Sequence, residues 1–210
     1  MSEGRDSRAV LLEAATGEFA KYGPRGTRIQ DIVKAAGVNE RMIYHHFGSK
    51  DGLYRAVMQD LRTWLGMTWQ PILDQAVALD DPLAGMRLAL TGILRTLQSR
   101  PQVAALFIHE GLAGQPLAMP EDTQGLPGPV RSIYERGQAA GAFPASVPFE
   151  MAYVMAMVSL VALSVMGTQA SQFAEFAGAR LPADAEEVRE QVIDHLLTGM
   201  TGSARPGSAT

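Results

Sequence analysis

The stretch AGVNERMIYHHFGSK, residues 36–50, sets an arginine, a tyrosine and two histidines between two glycine turns, with a lysine just beyond the second. Such a set could hold a metal, move protons or grip an anion. Metal binding fits poorly, because His45 and His46 are adjacent, about 100° apart around a helix, whereas helical ligand pairs stand three or four residues apart. Farther on, LFIHEGL places His109 beside Glu110, a pairing that can do acid–base work. No HExxH, glycine-rich phosphate loop or nucleophile elbow accompanies it. No catalytic residue, metal site or cofactor is therefore expected. His109 reads as a buried, hydrogen-bonded side chain or as a polar handle in a ligand pocket.

The elements that must position these residues are helices. Period-2 alternation is nearly absent, and apolar spacings of three and four recur throughout, which predicts an all-α fold. Leu11, Ala15, Phe19 and Tyr22 mark a first helix stopped by Gly23-Pro24. Thr27 is placed to cap a second helix carrying Ile29, Ile32, Val33 and Ala36, ended by Gly37; Asn39 caps a third, ending near Phe47-Gly48. Ser49 caps a fourth, whose face of Leu53, Val57, Leu61, Trp64 and Thr68 must stop near Pro71. Further helices are expected over 82–100, 102–112, 130–140, 149–166 and 185–200, the last opened by Asp184 with Glu187 as a capping box. Four glycines and four prolines mark 111–129 as a long loop, and 202–210 reads as a disordered tail.

The second and third helices, joined by the tight AGVN turn and packed on the first, make a helix-turn-helix. Val38, Ile43 and Phe47 can point inward. That leaves Asn39, Glu40, Arg41, Met42, Tyr44 and His45 outward, with His46 divided between packing and phosphate contact. A helix of this width enters the DNA major groove. Arg41 can fork onto guanine O6 and N7, and Met42 can meet a thymine methyl. Glu40 can accept from a cytosine amino group or orient Arg41. Tyr44 and His45 suit phosphates, as do Thr27 and Lys50 at helix starts, where backbone N–H groups already favour anions.

Over residues 11–53, LLEAATGEFAKYG followed by GTRIQDIVKAAGVNERMIYHHFGSKDGL resembles the TetR family of bacterial transcriptional regulators in the order and spacing of Thr, Ile, Ala-Gly-Val, Tyr-x-x-Phe and Ser-Lys. The resemblance implies phosphate contacts at Thr27, Tyr44 and Lys50 and base reading at residues 40–42 and 45. It further implies a homodimer on a roughly palindromic double-stranded DNA operator, and a helical body that binds a small-molecule effector and dimerises through its last two long helices. The expected organisation is a helix-turn-helix DNA-binding domain at 1–54, a ligand-binding and dimerisation domain at 55–201, and the tail. A ligand-released repressor is the expected function. The alternative is an all-helical enzyme or carrier whose N-terminal bundle serves docking or dimerisation.

Charge and composition agree with a two-part chain. Residues 1–50 hold eight Lys/Arg against six Asp/Glu, a net +2, and residues 51–210 hold ten against sixteen, a net -6. Cysteine is absent, which suits a reducing cytoplasm and excludes disulfide scaffolds. The uncharged run between Glu150 and Glu175 is long enough for a membrane span, but acids flank it where Lys/Arg anchors belong, and Ser159, Ser164 and Thr168 dilute it. A helix buried all round, in a core or a subunit interface, fits better, so no membrane partner is expected. Trp64, Met67, Phe107 and Tyr134 are candidate walls of an adaptable apolar pocket for an apolar or amphipathic effector, with Arg95, His109 and Arg131 as polar handles.

Overall fold

A computed structural model describes residues 3–114, 127–182 and 184–201. The described residues form helices α1 (Glu3–Gly26), α2 (Ile29–Ala36), α3 (Arg41–Phe47), α4 (Lys50–Ala78), α5 (Pro82–Ser99), α6 (Pro101–Leu112), α7 (Gly128–Ala139), α8 (Phe149–Val165), α9 (Gly167–Phe176) and α10 (Ala185–Thr201). No strand occurs among them, as the periodicity requires. The tail and most of the glycine- and proline-rich loop lie outside the described residues.

Two compact units divide the chain. One comprises Met1–Leu65 with Arg100–Pro120, the other Gly66–Ser99 with Glu121–Thr210. In the first, α1 packs against α2, α3 and α6. Leu11, Ala15 and Phe19 of α1, Ile32 of α2, Ile43 of α3, and Leu53 and Val57 of α4 have no exposed surface. From α6, Val103, Ala104 and Leu106 join the same unit, equally inaccessible. Tyr22, expected on the inner stripe of α1, is instead 60% exposed, one residue before the helical path breaks at Gly23.

In the second unit α5 is central, packing against α7, α8 and α10. Met86, Leu90, Ile93, Leu94 and Leu97 are buried there. The end of α4 approaches α5 so closely that a Cβ on Gly85 would stand 2.6 Å from the Ala76 carbonyl oxygen. α10 is tied to α5 by Arg87 with Asp194 at 2.6 Å and Arg95 with Glu186 at 2.5 Å. The turn after α7 folds back, where Phe143 stacks on Tyr134 at 4.9 Å and Gln138 donates to the carbonyls of Pro144 and Val147.

Four local expectations are overturned or altered. α4 does not stop at Pro71 but continues to Ala78. The missing proline N–H leaves the Met67 carbonyl without its helical donor, and both residues are exposed, so water can satisfy it. Thr27 does not cap α2; its hydroxyl donates to the carbonyls of Gly23 at 2.7 Å and Glu18 at 3.0 Å, and Arg28 takes the cap position with no side-chain bond. α9 has no counterpart in the sequence pattern, since Gly167, Thr168 and Ser171 weaken it and its large residues Phe173 and Phe176 face outward. At α10, Asp184 accepts from the Glu186 backbone N–H at 2.8 Å, but Glu187 engages Gln191 instead of closing the box.

α8 is not buried all round within the chain. Met151, Val154, Met155 and Val158 form a stripe more than half exposed. No single helix among the described residues is long and apolar enough to cross a membrane; α8 and α9 pass that test only as a pair bent by 99°.

Gly85→Ala should destabilise the protein by about 1–3 kcal/mol, because the Ala76 oxygen is backbone and cannot rotate away. Urea unfolding followed by circular dichroism measures it, and an unchanged midpoint contradicts the close approach.

Candidate nucleic-acid interface

The seven-residue helix α3 carries the outward chemistry on one face. The chain enters them through Gly37, whose φ of 66° and ψ of 27° place it in the left-handed region, with its N–H on the Val33 carbonyl. The Asn39 side chain then accepts from the Arg41 backbone N–H at 2.9 Å, and its carbonyl from Met42 at the same distance. Asn39 therefore caps α3 as expected. At the far end, Gly48 turns the chain and Ser49 accepts from the Gly52 N–H at 3.0 Å, opening α4.

The inner face of α3 is anchored by Ile43, fully buried, with Val38 and Phe47 half-buried. Two contacts to the start of α1 hold its second half. Ser7 Oγ lies 3.0 Å from His46 Nε2, and the Arg8 guanidinium sits 5.5 Å from the centre of the Phe47 ring. His46, divided between two roles by sequence, is thus engaged in packing. Sequence reasoning missed Ser7 and Arg8, because 39 residues separate each from its partner and no short-range pattern links them.

Arg41, Tyr44 and His45 are exposed on the outer face, and Glu40 and Met42 are half-buried beside them. Glu40 accepts from the Tyr44 hydroxyl at 3.3 Å, so the bond it makes is to the tyrosine one turn on, not to Arg41. Lys50 donates to the Thr27 carbonyl at 3.1 Å, which joins the starts of α2 and α4 and leaves two ammonium protons for an anion. Thr27 is 2% exposed and its hydroxyl proton is committed to carbonyls. The face as a whole presents a guanidinium, an imidazole, a phenol and an ammonium within one short helix and its flanks. That arrangement can grip phosphates and read base edges.

Behind this face, α6 closes on α1. His109 Nε2 lies 3.2 Å from the Ala20 carbonyl, and the ring stands where a Cβ on Gly23 would come 2.9 Å from Nδ1. Glu110 is buried and accepts from the Tyr54 hydroxyl at 2.6 Å. Burial, and then the Glu110 carboxylate, raise the Tyr54 pKa well above the ordinary phenol value. Trp64 carries the Arg100 guanidinium 5.2 Å from its ring centre. Of the candidate pocket residues, Trp64, Phe107 and His109 therefore belong to this first unit.

In the second unit Met67 is 75% exposed and Arg95 is paired with Glu186. Tyr134 is buried in the wall of a narrow cavity, shared with Met86, Leu90, Phe149, Tyr153 and Met157. Burial pushes the Tyr153 phenol up to about 12 and raises that of Tyr134, whose hydroxyl donates to the Val147 carbonyl. Arg131 stands beside this wall, its guanidinium 4.3 Å from the centre of the Phe149 ring. Tyr134 thus lines the cavity and Arg131 stands against the Phe149 ring in its wall, while Met67 and Arg95 are not among the lining residues.

Residues 11–57 match the family model described as bacterial regulatory proteins, tetR family. Over 143 residues the chain is 35% identical to the HTH-type transcriptional regulator RutR of Escherichia coli O157:H7, covering 65% of this chain and 63% of that protein. It is 29% identical over 154 residues to the HTH-type transcriptional repressor NicS of Pseudomonas putida, covering 71% of each. The chain spans less than two-thirds of the RutR relatives it matches. Among solved structures, the ketosteroid transcriptional regulator KstR2 of Mycobacterium tuberculosis superposes with a TM-score of 0.64 at 20% identity, covering 93% of this chain and 95% of that one. The TetR family transcriptional regulator PfmR of Thermus thermophilus superposes with a TM-score of 0.63 at 18% identity, covering 94% and 96%. At these identities the structural likeness concerns the fold alone.

Asn39→Ala should cost the α3 cap about 1 kcal/mol. Amide hydrogen exchange over Arg41–Phe47 is then expected to quicken about fivefold while the buried amides of α1 change little, and equal exchange in both proteins rules the cap out.

Proposed function

We propose, on the match of residues 11–57 to the tetR family model and the 35% identity to RutR over 143 residues, that the chain is a TetR-family member acting as a ligand-responsive, DNA-binding transcriptional regulator of the cytoplasm. It acts as a repressor, binding a palindromic operator as a homodimer and leaving it when a small apolar or amphipathic effector binds the helical body. The observation that carries this reading is the outer face of α3, which shows Arg41, Tyr44 and His45 to solvent on a helix capped by Asn39 and anchored by Ile43. Names of relatives such as the repressors NicS and KstR2 favour repression over activation.

Roles follow from position. Arg41 reads a guanine edge, and Met42 meets a neighbouring apolar or methyl group. Tyr44 exchanges its bond with Glu40 for a phosphate oxygen, and Lys50 adds a phosphate without leaving Thr27. The Thr27 contribution is a backbone one, since its hydroxyl is engaged inward. Dimerisation uses the exposed stripe of α8, where Met151, Val154, Met155 and Val158 supply an apolar face that a second copy buries.

Release is a population shift. The effector must bind a body conformation that misplaces the two α3 helices better than one that fits the operator, and only that difference drives dissociation. α4 supplies the covalent connection. Its first residue is Lys50, bonded to Thr27, and its last turns press on Gly85 and Gly92 of α5.

Gel shifts with sites selected from random DNA test the reading. Arg41→Ala is expected to relax specificity at one base pair, losing about 1–3 kcal/mol of discrimination. Lys50→Ala should weaken all sequences alike and lower the salt slope by about one. No specific shift with any selected or promoter DNA points instead to a helical enzyme or carrier. For the dimer, Val158→Asp should give a monomer at micromolar concentration in light scattering, because the charge has no partner in an apolar interface.

A further inference from the structure

The cavity of the second unit is lined by apolar and aromatic side chains, and a guanidinium stands against the ring of one of them. Its lining includes Met86, Leu90, Ala156, Met157 and Met200, and Phe149 closes one side. The Arg131 guanidinium lies 4.3 Å from the centre of that phenylalanine ring, and the neighbouring Val130 is itself part of the lining. Arg131 donates to Glu150 at 2.8 Å and lies 3.7 Å from Glu135. Glu150, in the first turn of α8, is two-thirds exposed (67%). The arginine hydrogen bond, with one from its own backbone N–H, holds its carboxyl below the usual range. That carboxylate is a solvent-exposed anion on the residue next to Phe149, which lines the apolar chamber. It is cheap to displace, since an exposed ion pair contributes little, and a guanidinium forks equally well onto any other carboxylate.

We propose that the second unit binds an amphipathic monocarboxylate, its hydrocarbon tail among Met86, Met157 and Met200 and its carboxylate on Arg131 in place of Glu150. The inference rests on reading this unit as the effector-binding body. The chamber measures about 10 Å³, room for roughly one water molecule. A tail therefore enters by moving the three thioether side chains, which are unbranched and repack readily, and by a turn of the Phe149 ring shared by chamber and guanidinium. A neutral compound gains the same tail burial but leaves the arginine with Glu150. A dianion sets its second charge against Glu135 and Glu150. The single carboxylate is the charge the site accommodates.

Isothermal titration calorimetry of the full chain with octanoate and with 1-octanol tests this, with thermal unfolding of each variant as the check on folding. Octanoate should bind saturably and at least tenfold more tightly than the alcohol of equal length. Arg131→Gln should abolish that preference. Glu150→Gln should tighten octanoate severalfold, because the internal competitor is gone. Ala156→Phe, which fills the chamber, should weaken both compounds. Equal affinities for the two compounds, a preference that survives Arg131→Gln, or no saturable octanoate binding by a chain that still shifts DNA overturns the inference. A chain that binds octanoate through Arg131 but shifts no DNA leaves the carboxylate site standing and removes the regulator reading instead.

Discussion

α3 has only seven residues, far too few to hold a helical shape in water by itself. Its form is imposed by the burial of Ile43 against the bundle, by the left-handed turn at Gly37 and by the Asn39 cap. Every outward role depends on that docking. Arg41, Tyr44 and His45 are displayed because the other face of the helix is held, and the orientation of that face is further set by Ser7 and Arg8 at the start of α1. The proposed reading of DNA needs side chains held in place, and here rigidity comes from packing, not from intrinsic helix propensity.

α6 extends the same logic to a part of the chain remote in sequence. It lies along α1, with His109 against Gly23 and Ala20, and its buried Glu110 is satisfied by Tyr54 of α4. A buried carboxylate without such a donor is strongly unfavourable, so the pair fixes α6 as well as stabilising it. The chain passes from one unit to the other within α4 and again between Ser99 and Arg100.

Much of this was legible from residue types. The helix-turn-helix, the inward set of Ile32, Ile43 and Leu53, the caps at Asn39, Ser49 and Asp184, and nearly every helix of the body follow from period and punctuation. The failures share a cause. Pro71 sits where its freed carbonyl reaches water, and Thr27 is turned inward onto the carbonyls of Gly23 and Glu18, away from the start of α2; both outcomes are set by surroundings that spacing does not reveal. Of seven candidate pocket residues, Tyr134 lines the cavity of the second unit and Arg131 stands against Phe149 in its wall. An aromatic or a methionine on a core-facing stripe looks the same whether it meets a helix or a cavity.

By itself the sequence determined the class of fold, the motif and which face of α3 is offered to solvent, because these are local matters of helical period, turn chemistry and capping within a few residues. Tertiary structure alone decided that α6 packs on α1, that Glu40 engages Tyr44 while Lys50 holds Thr27, that one stripe of α8 remains uncovered, and that Arg131 faces Glu150 beside an apolar chamber. Most of these are meetings between residues 19 to 89 positions apart, or accidents of which neighbour a side chain reaches first. No spacing rule specifies them, since they depend on how the helices close around a common core.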